Sequence, residues 1–334
     1  MSTTRYVNSQ LAARNLMSLD VQPETGVDID TPLYSDVITG LDKERKEIPS
    51  KYLYDDRGSR LFTEICELDE YYPTQTEMEL TKRHVDDIAA RVGSKARLVE
   101  LGAGSGRKTR MLLRHLHELA TYVPVDISGE ELKRCVDRLS TEFPDLEIAP
   151  VCADYTGEWS LPANGCDGRT VCYYPGSTIG NFHPDQARAF LERLEGLVGP
   201  RGALLIGVDL DKDPEIIVPA YNDSQGVTAE FTLNLLRRIN RECGADFDLE
   251  AFEHEAVYQR DKCRIQTRIY SLCDQEVHFP TATFEFEEGE YMVVEYSYKY
   301  KIEDFADLTE EAGWRTRSIW TDEDRLFSLW FLES

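Results

Sequence analysis

Apolar positions recur in two rhythms along this chain. Between Ala96 and Leu210, short and nearly continuous apolar runs alternate with segments whose apolar residues sit three and four apart. The runs are ARLVEL (96–101), TYVPVD (121–126), LEIAPVCAD (146–154), RTVCYYP (169–175) and ALLIGVDL (203–210); the helical segments are Lys108 to Ala120, Gly129 to Phe143 and Pro184 to Leu197. Strands apolar on both faces and separated by helices predict a parallel sheet wrapped by helices, an α/β fold. Ahead of this block the spacing is helical from Asp36 to Leu41 and from Gly58 to Leu68, and it breaks at Pro73 before a further helix near Thr76. Beyond Lys212 the alternation stops. Helical stretches are expected at Glu230 to Arg241 and Leu249 to Val257, then strand-like pieces to about Phe286, an insertion too long for a loop. The chain finishes with strand EYMVVEYSYKY (290–300), helix Ile302 to Ala312, and strands RTRSIW and RLFSLWFLES. Residues 1 to about 33 show little periodicity and read as a loosely held arm.

Charge and composition narrow the possibilities. Thirty-seven basic against 62 acidic residues give a formal charge of −25, the wrong sign for a protein that must displace counterions from phosphates. The acidic residues are spread along the chain and 41% of positions are hydrophobic, which argues for a packed fold instead of a disordered one. No apolar run approaches the roughly 20 residues of a spanning helix, and the N-terminus lacks the apolar stretch of a secretory signal. A cytoplasmic protein without membrane or nucleic-acid partners is expected. The eight cysteines, Cys166 among them, follow no CxxC spacing and read as reduced and mostly buried.

The sharpest local signal is LVELGAGSGRKT (98–109): a strand, then Gly102, Gly104 and Gly106, then a helix. Glycines at such a turn let the backbone approach a nucleotide-like ligand. The spacing is GxGxG, not the GxGxxG of dinucleotide sites. Glu100, two residues before the first glycine, is unfavourable beside a pyrophosphate but suits a ligand carrying an ammonium and a sulfonium, as S-adenosylmethionine does. Lys108 is placed to face that ligand's carboxylate. Asp126, ending the next strand, stands where an acidic side chain receives ribose hydroxyls, and Asp154 with Tyr155 stands where the adenine edge would lie. Spacing alone leaves a nicotinamide enzyme open. By fold-level analogy the C-terminal elements fit the class I methyltransferase sheet, order 3-2-1-4-5-7-6.

Further stretches carry a more specific resemblance: YLYDDRGSRLF (52–62), EYYPTQTE (70–77), PGSTIGNF (175–182), AYNDSQGVTAEFTLNLLRRIN (220–240) and ADFDLEAFEH (245–254). With the glycine loop, and in this order from about residue 33 to the C-terminus, the chain resembles the histidine-specific Nα-methyltransferases of ergothioneine biosynthesis. The resemblance implies three successive methyl transfers from S-adenosylmethionine to the α-amino group of L-histidine, giving hercynine. It also implies a Rossmann-like, seven-stranded class I core (76–211 and 299–334), a substrate-binding lobe (33–75 and 212–298) and an N-terminal arm (1–32); a monomer is expected.

The resemblance assigns Tyr71, Glu295 and Ser297 to the substrate imidazole. Glu295 accepts from a ring N–H and Ser297 donates or accepts; the two share a face at period two, on what is expected to be the sixth strand. Asn181 and Tyr221 would hold the amino-acid end, Tyr54 and Phe62 would wall the reacting nitrogen, and Gly176 would leave room for the methyl group. Tyr54, Asn181 and Tyr221 are expected to orient the nitrogen lone pair, with its proton leaving to water or along a tyrosine path instead of to a strong base. Relatives often carry methionine where this chain has Thr267, and a Ser/Thr-Glu pair before the glycine-loop lysine; the smaller, polar Thr267 is expected to reshape the imidazole pocket or add a hydrogen bond. His183 reads as a helix cap. His115 and His117, two apart on a helix, cannot share a metal. Two rivals remain: an N-methyltransferase acting on a tryptophan-like amine, whose indole would use only half of the Glu295 and Ser297 pair, and a non-catalytic S-adenosylmethionine-binding protein.

Overall fold

The computed structural model describes residues 27–104, 106–157, 159–162 and 168–334. The arm expected over residues 1–32 lies outside them up to residue 26, as does Cys166. In chain order the elements are α1 (Pro32–Leu41), α2 (Asp56–Ile65), α3 (Tyr72–Val92), β1 (Arg97–Leu101), α4 (Arg107–Leu113), β2 (Thr121–Asp126), α5 (Gly129–Glu142), β3 (Glu147–Ile148), β4 (Val151–Cys152), β5 (Thr170–Tyr174), α6 (Pro184–Val198) and β6 (Ala203–Asp209). Then follow α7 (Pro214–Ile217), α8 (Val227–Cys243), β7 (Phe252–Gln259), β8 (Arg264–Ser271), β9 (Gln275–His278), β10 (Thr283–Phe286), β11 (Tyr291–Tyr298), α9 (Ile302–Glu311), β12 (Arg315–Thr321) and β13 (Phe327–Glu333).

The main sheet runs β12-β13-β6-β5-β1-β2-β3, with β4 also paired to β2. β1, β2, β5 and β6 are parallel, whereas β13 runs antiparallel between β6 and β12. Counted along the seven positions of a class I methyltransferase, that is the order 3-2-1-4-5-7-6. Alternate strand residues feed two cores, one on each face. Leu98, Tyr122, Tyr173 and Leu205 pack with Leu80 and Ile88 of α3, Leu112 of α4 and Leu139 of α5. Val99, Val123, Tyr174 and Ile206 pack with Phe190 and Leu194 of α6 and Phe305 of α9. Burial on both faces is why these strands read as unbroken apolar runs.

A third core joins distant sequence: Leu33, Val37, Leu53 and Leu61 from the N-terminal helices with Phe231 and Leu235 of α8, Phe252, Ile269 and Val294. Its framework is a second, antiparallel sheet, β11-β8-β7, with β9-β10 as a separate ribbon. Residues 46–48 lie along β11, through Val293 N–H to Lys46 O (2.9 Å) and Ile48 N–H to Val293 O (2.9 Å).

The structure corrects several expectations. Leu249 to Val257 is a short 3-10 turn and then strand, not helix: period-two pairing of β7 along its whole length with β8 overrides a helix-compatible spacing. EYMVVEYSYKY belongs to the second sheet, so Glu295 and Ser297 do not lie on the main sheet's sixth strand. Pro73 starts α3 in its first turn, where its missing N–H costs nothing, instead of breaking a helix. α4 ends at Leu113, so His115 and His117 lie beyond it. Pro150 falls between β3 and β4, splitting one expected strand. Of the described cysteines, all free, Cys135, Cys172 and Cys243 are buried while Cys152 and Cys273 are exposed, so "mostly buried" overstated it. No described helix is long and apolar enough to cross a membrane.

Candidate active site

Two half-sites meet at the C-terminal edge of the main sheet. The first is the loop after β1. Gly102 and Gly104 have φ of +72° and +47°, left-handed values that glycine adopts without a Cβ penalty. The loop is tied to β2 by Gly102 N–H and Ala103 N–H, both donating to Val125 O. Asp126 sits at its rim, accepting from Gly104 N–H (2.8 Å) and Ser128 N–H (2.9 Å), which leaves further lone pairs on its two oxygens. Burial raises its pKa. Next to it Ile127 is 44% exposed, an apolar side chain left in a polar mouth. Tyr155 lies over the loop, its ring 3.7 Å from where a Gly102 Cβ would stand, and burial pushes its phenol up to about 12. Asp154 instead faces Lys51 across the mouth at 3.2 Å.

Glu100 is placed differently from the expectation of a carboxylate open to ligand. It is 2% exposed and accepts a hydrogen bond from Tyr122 Oη, and burial lifts its pKa to about 7. It braces the strand beneath the loop. Lys108 pairs with Glu77, a carboxylate with no exposed side chain, which also accepts from Gly176 N–H at 3.0 Å. Glu77 thus gathers α3, the glycine-loop helix and the turn after β5 around one buried charge. Sequence inspection gave it no role, although it ends the EYYPTQTE stretch.

The second half-site is aromatic and polar. The 3-10 turn Ser50–Leu53 delivers Tyr54, and Asp55 caps α2 by accepting from Gly58 N–H (2.8 Å) while Asn234 and Arg241 of α8 hold the same carboxylate. That cap fixes Tyr54 and Phe62 against α8. Tyr54 meets Phe62 (5.5 Å between centroids) and Phe231 (5.4 Å); Phe62 meets Tyr71 (6.1 Å), and Tyr71 meets Tyr221 (6.2 Å). Burial drives the Tyr54 and Tyr71 phenols well above their ordinary value, and the Glu295 charge adds to both shifts. Tyr221 is pinned through its neighbours. Asn222 exchanges two hydrogen bonds with the Ala256 backbone at 2.9 Å, Asp223 caps α8 through Thr228 N–H (2.7 Å), and His254 Nε2 lies 2.9 Å from the Tyr221 carbonyl.

β11 supplies the floor. Glu295, Ser297 and then Lys299 just past the strand alternate onto one face. Glu295 has no hydrogen-bond partner among the described residues, and burial raises its pKa to about 7, with the Lys299 charge opposing. Opposite it in register stands Thr267, whose buried hydroxyl is also unpaired. Ser297 Oγ and Tyr221 Oη are 2.8 Å apart. Lys299 Nζ reaches Tyr221 Oη (2.7 Å), Ser297 Oγ (2.8 Å) and Asp209 Oδ2 (2.7 Å). Asp209, at the end of β6, also receives Tyr72 Oη (2.8 Å to Oδ2) and Lys212. Burial alone would raise Asp209; the two ammonium groups outweigh it and hold its pKa low. Lys299 stands two residues past Ser297, a period-two signal that sequence inspection left unused; Asp209 and Tyr72 had none.

Asn181 ends the 3-10 turn Thr178–Asn181 after β5. The turn packs on β11 so closely that a Cβ on Gly180 would stand 2.6 Å from Tyr298 O. The Asn181 side chain makes no hydrogen bond among the described residues. His183 is the residue preceding α6, its N–H donating to Gln186 Oε1 (3.1 Å), while its ring bonds Tyr298 Oη (2.9 Å) on the opposite face of β11 from Glu295. It takes no part in the pocket. No group of metal-binding side chains occurs among the described residues.

The two half-sites join at Tyr54, which touches the aromatic cluster and also lines a cavity of about 490 Å³ with Lys51, Arg60, Ile127, Ser128 and Arg238. That geometry fits S-adenosylmethionine: a glycine turn, an acid with spare lone pairs at its rim, an apolar side chain beside it and a lysine at the helix start. A family model described as histidine-specific, SAM-dependent methyltransferase matches residues 33–334. A histidine N-alpha-methyltransferase of Mycolicibacterium smegmatis is 39% identical over 302 residues, spanning 89% of this chain and 93% of that one. Ergothioneine biosynthesis protein 1 of Neurospora crassa is 31% identical over 83% of this chain, but only 32% of its own length is matched. An L-tryptophan methyltransferase of Psilocybe serbica is 26% identical over 85% and 87% of the two chains. Class I topology, a glycine loop beside an aromatic and polar pocket and a match over nearly the whole chain together place this protein in the family of histidine-specific, S-adenosylmethionine-dependent methyltransferases.

Proposed function

We propose that this chain is an L-histidine Nα-methyltransferase that adds three methyl groups in succession to the α-amino nitrogen, giving hercynine, a step of ergothioneine biosynthesis. The observation that carries the substrate is Glu295. Its carboxylate is only partly buried and has no hydrogen-bond partner among the described residues, so it is open to a ligand, and an imidazole N–H is the group that would satisfy it, with Ser297 serving the other ring nitrogen. An indole offers no accepting nitrogen, which disfavours the tryptophan rival although a tryptophan methyltransferase is a relative. Residues 33–75 and 212–298 would form the substrate lobe, and the enzyme would act as a cytoplasmic monomer on small molecules.

S-adenosylmethionine, when bound, supplies an electrophilic methyl group on a sulfonium. Asp126 would hold its ribose, Ile127 and Tyr155 its base, and Lys108, released in part from Glu77, its carboxylate. The amine must be neutral to attack. Asn181, Tyr54 and Tyr221 would orient its lone pair, and most of the acceleration would come from positioning and exclusion of water. As hydrogens on the nitrogen are replaced, the Tyr54, Phe62 and Phe231 rings favour the growing positive charge, by about 0.5 to 2 kcal/mol for a cation over a ring. Its proton would leave to water or along the tyrosines, since His183 faces away. Mass spectrometry of the enzyme with S-adenosylmethionine and each amino acid tests this: histidine should gain one, two and then three methyl groups. Methylation of tryptophan alone would defeat the proposal.

A further inference from the structure

Lys299 is the one described lysine whose side chain is fully enclosed, at 0% exposure in its ion pair with Asp209, and each of its three hydrogens has a taker. One goes to Asp209, one to Tyr221 Oη and one to Ser297 Oγ. An ammonium only donates, so both hydroxyl oxygens accept from it. The two hydroxyls also bond each other at 2.8 Å, which uses one of their two hydrogens. One hydrogen remains, and it must point out of the cluster.

We propose that Lys299 is a positioning residue that sets the hydrogen-bond polarity of the amino-acid pocket: by occupying an acceptor site on both Tyr221 and Ser297, it bars the pair's one spare hydrogen from turning inward, so that this hydrogen faces the ligand and calls for a ring nitrogen that accepts. The amine's lone pair must face the methyl donor, so toward Tyr221 the amine can only donate; Tyr221 then keeps one lone pair for that N–H and spends its own hydrogen on Ser297, whose oxygen is saturated and whose hydrogen faces the imidazole. Glu295, on the same face, takes the ring's own N–H. The pocket therefore selects a neutral ring with one donor and one acceptor. Asp209 holds the ammonium in place from the main sheet, and Tyr72 and Lys212 hold Asp209, so the polarity of the substrate lobe is set from the end of β6. This rests on histidine being the substrate and adds which residue enforces the choice.

The test compares kcat/KM for histidine with that for pyrrolylalanines, which keep one ring N–H and lack the accepting nitrogen. The parent enzyme should prefer histidine by roughly a hundredfold or more, because a fixed donor facing a carbon is left unpaired. In Lys299→Met the hydroxyls are free to turn, and the preference should fall at least tenfold, with histidine KM raised and S-adenosylhomocysteine binding unchanged. Adding Lys299→Met to Ser297→Ala should change the preference little, since the two act through one bond. Should Lys299→Met fail to fold, Lys299→Met with Asp209→Asn removes the stranded carboxylate and gives the same readout. Equal loss on both substrates, with the preference intact in a folded variant, would mark Lys299 as merely structural and overturn the inference alone. An enzyme whose parent form does not methylate histidine would overturn the substrate reading and the inference with it.

Discussion

The glycine-loop crevice and the proposed amino-acid pocket are built by opposite means. In the crevice, Gly102, Gly104, Asp126 and Ser128 form a cradle within about one β-α-β unit, held by backbone hydrogen bonds to Val125 and Gly104. In the pocket, Tyr54, Tyr71, Tyr221 and the β11 pair Glu295 and Ser297 come from four separate places and are held by side-chain contacts. A backbone cradle tolerates changes of side chain. A pocket whose polar side chains depend on one another and on the ligand for partners does not, because each group left without its partner costs its full desolvation.

Substitutions should separate the two sites. The largest effect is expected from Glu295→Ala, lowering kcat/KM for histidine by about two orders of magnitude through KM while S-adenosylhomocysteine affinity stays constant; unchanged histidine kinetics would remove Glu295 from the imidazole. Asp126→Ala should do the reverse, weakening S-adenosylhomocysteine binding about tenfold, the worth of one charge-assisted hydrogen bond, with little change in histidine KM at saturating donor. Calorimetric titration would read both.

A pH series sharpens the comparison further. Glu295 titrates near 7 in the fold against an ordinary 4.5, so between those values the native state retains a proton that the unfolded chain releases. Its contribution to stability is therefore fully present below about 4.5 and lost as pH rises through 7. The melting temperature of Glu295→Gln should accordingly gain on that of the parent as pH rises across this window; Glu100, raised similarly, is common to both proteins and cancels. A constant difference would mean the carboxylate is solvated. The smallest effect is expected at Thr267, whose buried hydroxyl is unpaired. Thr267→Val should raise stability by about 1 kcal/mol in urea unfolding, and a loss would show that the hydroxyl has a partner.

Backbone-dominated features were legible because their signals are local. The alternation from Ala96 to Leu210 carries the parallel α/β core, with its strand order expected only by analogy, and the glycine spacing carries the loop with Asp126 at its rim. The resemblance placed Tyr54, Phe62, Tyr71, Tyr221, Glu295 and Ser297, which the fold does gather. It could not reveal that Glu100 is turned under the loop to Tyr122, or that His183 lies behind β11, because both depend on which face of a strand meets which neighbour. Leu249 to Val257 went wrong for the same reason: local spacing permitted a helix, and pairing with β8 decided for a strand.

The sequence by itself determined the α/β class and the nucleotide-like crevice, since periodicity and short motifs encode backbone geometry directly, whereas the kind of amino acid expected came from the family resemblance. Only the tertiary structure decided which charges are buried together. Glu77 with Lys108, and Asp209 with Lys299, are 31 and 90 positions apart, and what joins them is that an isolated buried charge is untenable, a condition that exists only once the chain has folded around it.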